Sequence, residues 1–234
     1  MASRYFAGDL QPYGTCPALD TGHSQQVLPS LPTNPLPMLR HLLRRPSPPP
    51  LPIAPLTLDG PWLCGLALSL HSDGEAHTPV GELLSRYKYA EERRWREVLA
   101  SALVEALSLE PEFSRAQIVV HPPATVRRSF EPACELAMAV ARRLRARGLP
   151  RLLAHTRRIA SQKDLHTWEE KMANTRGAFR LRRPDLVKGQ VVLAIDDVYD
   201  SGATLREVHR ALTEAGAAGV LVATVTKTNF RVEE

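Results

Sequence analysis

The sequence predicts an α/β domain built on a mostly parallel central sheet flanked by helices. Three observations carry that prediction. The apolar runs PWLCGLALSLH (61–71), AQIVVH (116–121) and QVVLAI (190–195) have the continuous character of strands buried on both faces. Segments with a single apolar stripe at helical spacing alternate with these runs. Glycine and proline stand at the junctions, where chain reversals are needed.

Taken in order, the first element is an N-terminal arm. Thirteen of the twenty prolines precede Trp62, including RRPSPPPLPIAP (44–55). Proline removes a backbone donor and turns the preceding residue away from helix. Residues 1–60 are therefore expected to be largely extended, a tether or a docking peptide, with a short helix around PMLRHLLRR (37–45). The folded domain is expected over 61–234. It opens with the strand 61–71 and the turn SDGEAH (72–77), followed by a helical stretch over 80–107 with a break near Tyr89. Pro122 and Pro123 close the strand 116–121. Leu136, Val140 and Leu144 line one stripe of a helix that Gly148 is expected to stop. PRLLAH (150–155) is the next strand, followed by a long polar stretch to Pro184. After the strand 190–195, a helix from Ala203 places Leu205, Val208, Leu212 and Ala215 on one face and ends at Gly216. AGVLVATVT (218–226) is the last strand.

Composition narrows the class. Three scattered cysteines, Cys16, Cys64 and Cys134, can build neither a disulfide framework nor a zinc cage. No signal pattern opens the chain and no apolar run reaches spanning length, so a cytoplasmic protein without a membrane partner is expected. A formal charge of +5 and a pI near 9.4 favour anionic partners.

The densest chemistry lies in VVLAIDDVYDSGAT (191–204). Ligands of an open parallel sheet bind beyond the carboxyl ends of its strands, and Asp196 and Asp197 stand at such an end. Two adjacent carboxylates repel each other and are costly to desolvate without donors or a cation. A sugar cis-diol or Mg²⁺ would satisfy them. The following turn, Asp200, Ser201, Gly202, Ala203 and Thr204, is small enough for an anion to approach the backbone, and it opens into a helix whose free N–H groups favour a phosphate. Acids for a diol and a cradle for a phosphate, so close in sequence, describe a ribose 5-phosphate site.

An apolar strand, two acids, two residues and a small-residue loop ending in Thr resemble the signature of type I phosphoribosyltransferases. Further motifs are similar to the ComF-like, competence-associated members: SRYKYAEE around Lys88, and Gln162, Leu165, Lys171, Asn174 and Phe179 in the middle segment. The resemblance covers about residues 62–226. It departs from the ComF-like pattern in lacking the N-terminal zinc ribbon. It also carries Arg128-Ser129-Phe130-Glu131-Pro132 where a Gly, an Asn and a Gln are usual, and Asp200 where Thr is commoner.

This resemblance implies a type I phosphoribosyltransferase fold with a lid, or hood, over roughly 157–183. It implies phosphoribosyl pyrophosphate as substrate, Mg²⁺ as cofactor, held indirectly by Asp196 and Asp197, and a nitrogen acceptor that the sequence does not name. Asp196 and Asp197 would bind the ribose, the turn 200–204 the 5′-phosphate, and Arg127 and Arg128 the pyrophosphate. Asp200 would also be the catalytic base, or would hydrogen-bond the nucleophile. Single-stranded DNA, competence proteins and a second copy in a homodimer are further candidate partners. The alternative is a protein that binds phosphoribosyl pyrophosphate or nucleotides without turnover, or one that handles single-stranded DNA.

Overall fold

The computed structural model describes residues 51–125 and 129–229. The proline arm up to residue 50, the short helix expected in it, and Arg127 and Arg128 lie outside the described residues.

The strands are β1 (Leu56–Thr57), β2 (Cys64–Leu70), β3 (Ile118–Val120), β4 (Arg147–Gly148), β5 (Leu153–His155), β6 (Phe179–Leu181), β7 (Val191–Tyr199) and β8 (Gly219–Lys227). The helices are α1 (Pro79–Tyr89), α2 (Trp95–Leu107), α3 (Pro132–Leu144), α4 (Trp168–Thr175) and α5 (Ala203–Glu214). Six strands form one sheet in the order β1-β2-β8-β7-β3-β4, parallel except for β1, which pairs antiparallel with β2. The mostly parallel sheet expected from the apolar runs is present. Both borders of the sheet are two-residue strands.

Alternation along the strands splits the core into two layers. Leu193, Ile195, Leu221, Ala223 and Val225 face α2 and α3, whereas Val192, Ala194, Val220 and Val222 face α5. Strict alternation would keep Ile195 and Tyr199 in one layer, yet Tyr199 packs in the other. The face of β7 therefore switches across Asp196–Val198, where the strand leaves the core for the site. The segment just before the domain also docks here. Leu51 and Ile53 pack against the first layer, and Leu58 is buried in the second.

Local sequence accounts for the ends of the elements. Pro79 stands at the start of α1, and the Thr78 hydroxyl accepts from the Gly81 amide at 3.0 Å. The break expected near Tyr89 separates α1 from α2. Gly216, at φ 84°, follows α5 as expected. Gly148 does not stop α3: Arg145 takes the left-handed conformation at φ 56°, and Gly148 joins β4. A side chain at Gly148 would meet the Met138 sulfur at 2.7 Å and the Ala141 methyl at 3.2 Å, so α3 packs closely over that glycine. The strand read at 150–155 forms as β5, but outside the main sheet. With β4 at the border, β5 pairs antiparallel with β6 and, with α4, makes a separate hood. The polar stretch before Pro184 is thus largely structured. A capping box between Thr167 and Glu170 starts α4.

Candidate active site

The chain leaves β3 through α3 toward one border of the sheet and leaves β7 through α5 toward the other. The two helices lie on opposite faces. A crevice therefore opens between the carboxyl ends of β3 and β7, the switch point at which open α/β sheets bind ligands. His121 pins the β3 side, with its ring nitrogens 2.8 Å and 2.6 Å from the carbonyls of Pro122 and Pro150.

A cleft of about 570 Å³ occupies this point and is lined by Asp196, Asp197 and the whole turn from Asp200 to Thr204. The hollow required between acids and turn is present. An adjoining hollow of about 300 Å³ runs under Pro122–Thr125 and shares Asp196, Asp197 and Thr204 with the first. Arg127 and Arg128 follow that segment but lie outside the described residues.

The acid pair is asymmetric. Asp196 Oδ1 accepts from the Asp197 amide at 2.8 Å, and burial, reinforced by repulsion from Asp197, pushes its pKa up to about 7. Asp197 instead pairs with Lys88, whose Nζ lies 2.8 Å from Oδ2. Burial opposes the Lys88 charge, but Asp197 outweighs it and holds the ammonium above its ordinary pKa. Lys88 thus compensates the charge of one acid, while burial disfavours the charged form of the other.

In the turn, Gly202 adopts φ 76°, and a Cβ there would lie 2.5 Å from the Tyr199 hydroxyl oxygen. Only glycine satisfies both constraints. The Ala203 amide makes a long contact, 3.3 Å, to the Ser201 hydroxyl. Among the described residues no backbone carbonyl takes the amides of Ser201, Gly202 or Thr204. These donors and the start of α5 are free to face an anion.

Both oxygens of Asp200 have a protein partner. Its Oδ2 lies 2.5 Å from Lys171 Nζ on α4, and its Oδ1 accepts from the Thr228 hydroxyl at 2.7 Å. The hood adds Gln162, which lines the cleft with both amide atoms buried and unpartnered. It is braced by Asn174, which exchanges two 3.0 Å hydrogen bonds with the Ala160 backbone. The Arg157 guanidinium adds a donation to the Asn174 carbonyl at 2.9 Å.

The acids and the turn expected to form one site line one cleft, whereas Lys88, Lys171 and Thr228 had been assigned no role. Lys88 has the face of an ordinary helical lysine, and its partner stands far along the chain. Lys171 carried a signal only as the basic residue of the ComF-like pattern.

A mostly parallel sheet with this switch point and flanking helices is the type I phosphoribosyltransferase fold. The family model described as "Phosphoribosyl transferase domain" matches residues 131–233. The chain is also 30% identical over 155 residues to the DNA utilization protein YhgH of Escherichia coli O6:H1, covering 62% of this chain and 65% of that one. It is 29% identical, over the same shares, to the protein of that name from Escherichia coli K12. The ComF-like resemblance is borne out, although the chain spans only about 65% of the length of these curated relatives. Among solved structures, adenine phosphoribosyltransferase from Thermoanaerobacter pseudethanolicus is matched at TM-score 0.40 and 13% identity, covering 59% of this chain and 83% of that one. Among the described residues no helix is long and apolar enough to cross a membrane.

Proposed function

We propose that the cleft binds phosphoribosyl pyrophosphate with Mg²⁺ and transfers the phosphoribosyl group to a nitrogen acceptor. One observation carries this reading: Asp196, Asp197 and the turn Ser201–Thr204 open into a single cleft at the switch point. Asp196 would accept from the ribose hydroxyls, and the free amides of the turn would hold the 5′-phosphate. Arg127 and Arg128 remain the proposed pyrophosphate ligands.

The donor set suits Mg²⁺, a hard cation usually held by one or two carboxylates together with substrate phosphates. Among the described residues no group of three metal-ligating side chains stands ready, which agrees with a metal that arrives with its substrate. Asp196 and Asp197 would hold the ion indirectly, through the substrate they bind, with Asp197 also tied to Lys88. When bound, Mg²⁺ would neutralise charge on the departing pyrophosphate. The chain's own residues would orient the sugar and, through the hood, keep water from competing.

Calorimetric titration with phosphoribosyl pyrophosphate and Mg²⁺ tests this; absence of heat in the native protein would sink it. Pyrophosphate release across purine, pyrimidine and amine acceptors then separates turnover from binding alone.

A second reading, single-stranded DNA handling, is favoured by the name of the Escherichia coli relatives. It requires affinity that falls steeply with added salt. A flat response at low salt would exclude it.

A further inference from the structure

The charge distribution in the cleft poses a problem that ribose-phosphate binding alone does not answer. The turn that offers amides to a phosphate begins with a carboxylate, Asp200, and anion beside anion is repulsive. Lys171 cancels that charge. It projects from α4, is only 6% exposed, and places its ammonium 2.5 Å from Asp200 while lining the same cleft. The second carboxylate oxygen is taken by Thr228 at 2.7 Å. Each oxygen of Asp200 therefore has a protein partner before any substrate arrives, and the carboxylate is held toward the hood and Thr228. A buried ammonium, for its part, needs a fixed counter-charge, and the turn supplies it.

We infer that Lys171 is the residue that makes this turn receptive to a phosphate, and that Asp200 anchors Lys171 instead of acting as general base. Asp200 and Thr228 hold the ammonium at the mouth of the turn. The arriving phosphate adds its charge to a site where the carboxylate is already compensated, and it shares the ammonium with Asp200. Lys171 belongs to the hood and Asp200 to the strand end, so the same contact joins the hood to an occupied phosphate site. Thr175, one turn further along α4, supports this seam through a 3.4 Å contact from its hydroxyl to the Ala203 carbonyl. Lys171 is a phosphate-binding residue in this scheme and Asp200 positions it, and the scheme rests on the ribose-phosphate reading of the cleft.

Ribose 5-phosphate titrated calorimetrically into four proteins tests it: native, Lys171→Met, Asp200→Asn and the double variant. Loss of the ammonium should weaken binding by about tenfold or more, the size of one charge-assisted contact. Asp200→Asn should tighten binding severalfold, because the ammonium then faces the phosphate without a competing carboxylate. The double variant should return to within a few-fold of native. A merely structural pair would lose affinity in both single variants, and that result overturns the inference. Equal affinity in all four proteins overturns it too while leaving the ribose-phosphate reading intact; no binding by the native protein removes both. Should circular dichroism show that Lys171→Met does not fold, Asp200→Asn against native decides alone. Tightening supports the clasp, and unchanged or weaker binding refutes it.

Discussion

The sheet and the hood are held together by different physics. Across β7 and β8, Val192, Leu193, Ala194, Ile195 and Leu221 are wholly or almost wholly removed from solvent, and apolar burial fixes their position. The hood is anchored to the second layer by Leu153, Ala178 and Phe179, but much of its remaining surface is polar. It keeps its shape through Asn174 against Ala160, Arg157 against helix-end carbonyls, and Glu207 accepting from the Phe179 amide at 3.2 Å. Directional polar contacts, many of them exposed, contribute little each and break one at a time. The candidate site lies on the boundary between the two regimes. The acids and the turn 200–204 belong to the apolar-packed part, whereas Gln162 and Lys171 come from the hood.

The comparison can be tested at its strongest point first. Leu193→Ala, at a position with no exposure, should cost about 3–5 kcal/mol in urea denaturation. A loss below about 1 kcal/mol would mean the sheet is less tightly packed than described. Gly202→Ala sets a side chain against the Tyr199 ring at a left-handed φ, and roughly 2 kcal/mol of stability should go with it. Phosphate affinity should fall in the same variant, since the turn and its amides shift together. Asp197→Asn should leave the fold standing and weaken phosphoribosyl pyrophosphate binding by at least about tenfold. Unchanged affinity there would remove the acid pair from the site.

Acidity offers a test that needs no substitution. Asp196 titrates near pH 7 in the fold, far above an ordinary carboxyl, because burial and Asp197 disfavour its charge. A ligand that needs the charged form should therefore bind about tenfold more weakly at pH 6 than at pH 8, and should release a proton on binding near pH 7. Stability moves in the opposite sense. Between the unfolded value and about 7 the folded chain holds the extra proton, so this group's contribution falls as pH rises through that window and is level above it. The smallest effect belongs to the hood. Asn174→Ala should cost about 1 kcal/mol locally, seen as faster amide exchange at Ala160 with little change in the main transition.

The same contrast explains what was legible in the sequence. Strands buried on both faces leave continuous apolar runs, so β2, β3, β7 and β8 could be read directly. The stripe Leu205, Val208 and Leu212 gave α5. The acids and the turn were legible because they are contiguous, from Asp196 to Thr204. The partners of these groups were not, because Lys88–Asp197 and Lys171–Asp200 join residues distant in sequence, which periodicity cannot register. The stop of α3 at Arg145 was missed for a related reason. Gly148 looked like a terminator locally, but packing against Met138 had already claimed it.

The two-residue strand β1 has a practical consequence. Leu56 and Thr57 cover the outer rim of β2, a row of main-chain groups that would otherwise be open to another chain. A shortened protein begun at Pro61 would uncover that rim and should self-associate. One begun at Leu51 keeps the cover and should remain dispersed.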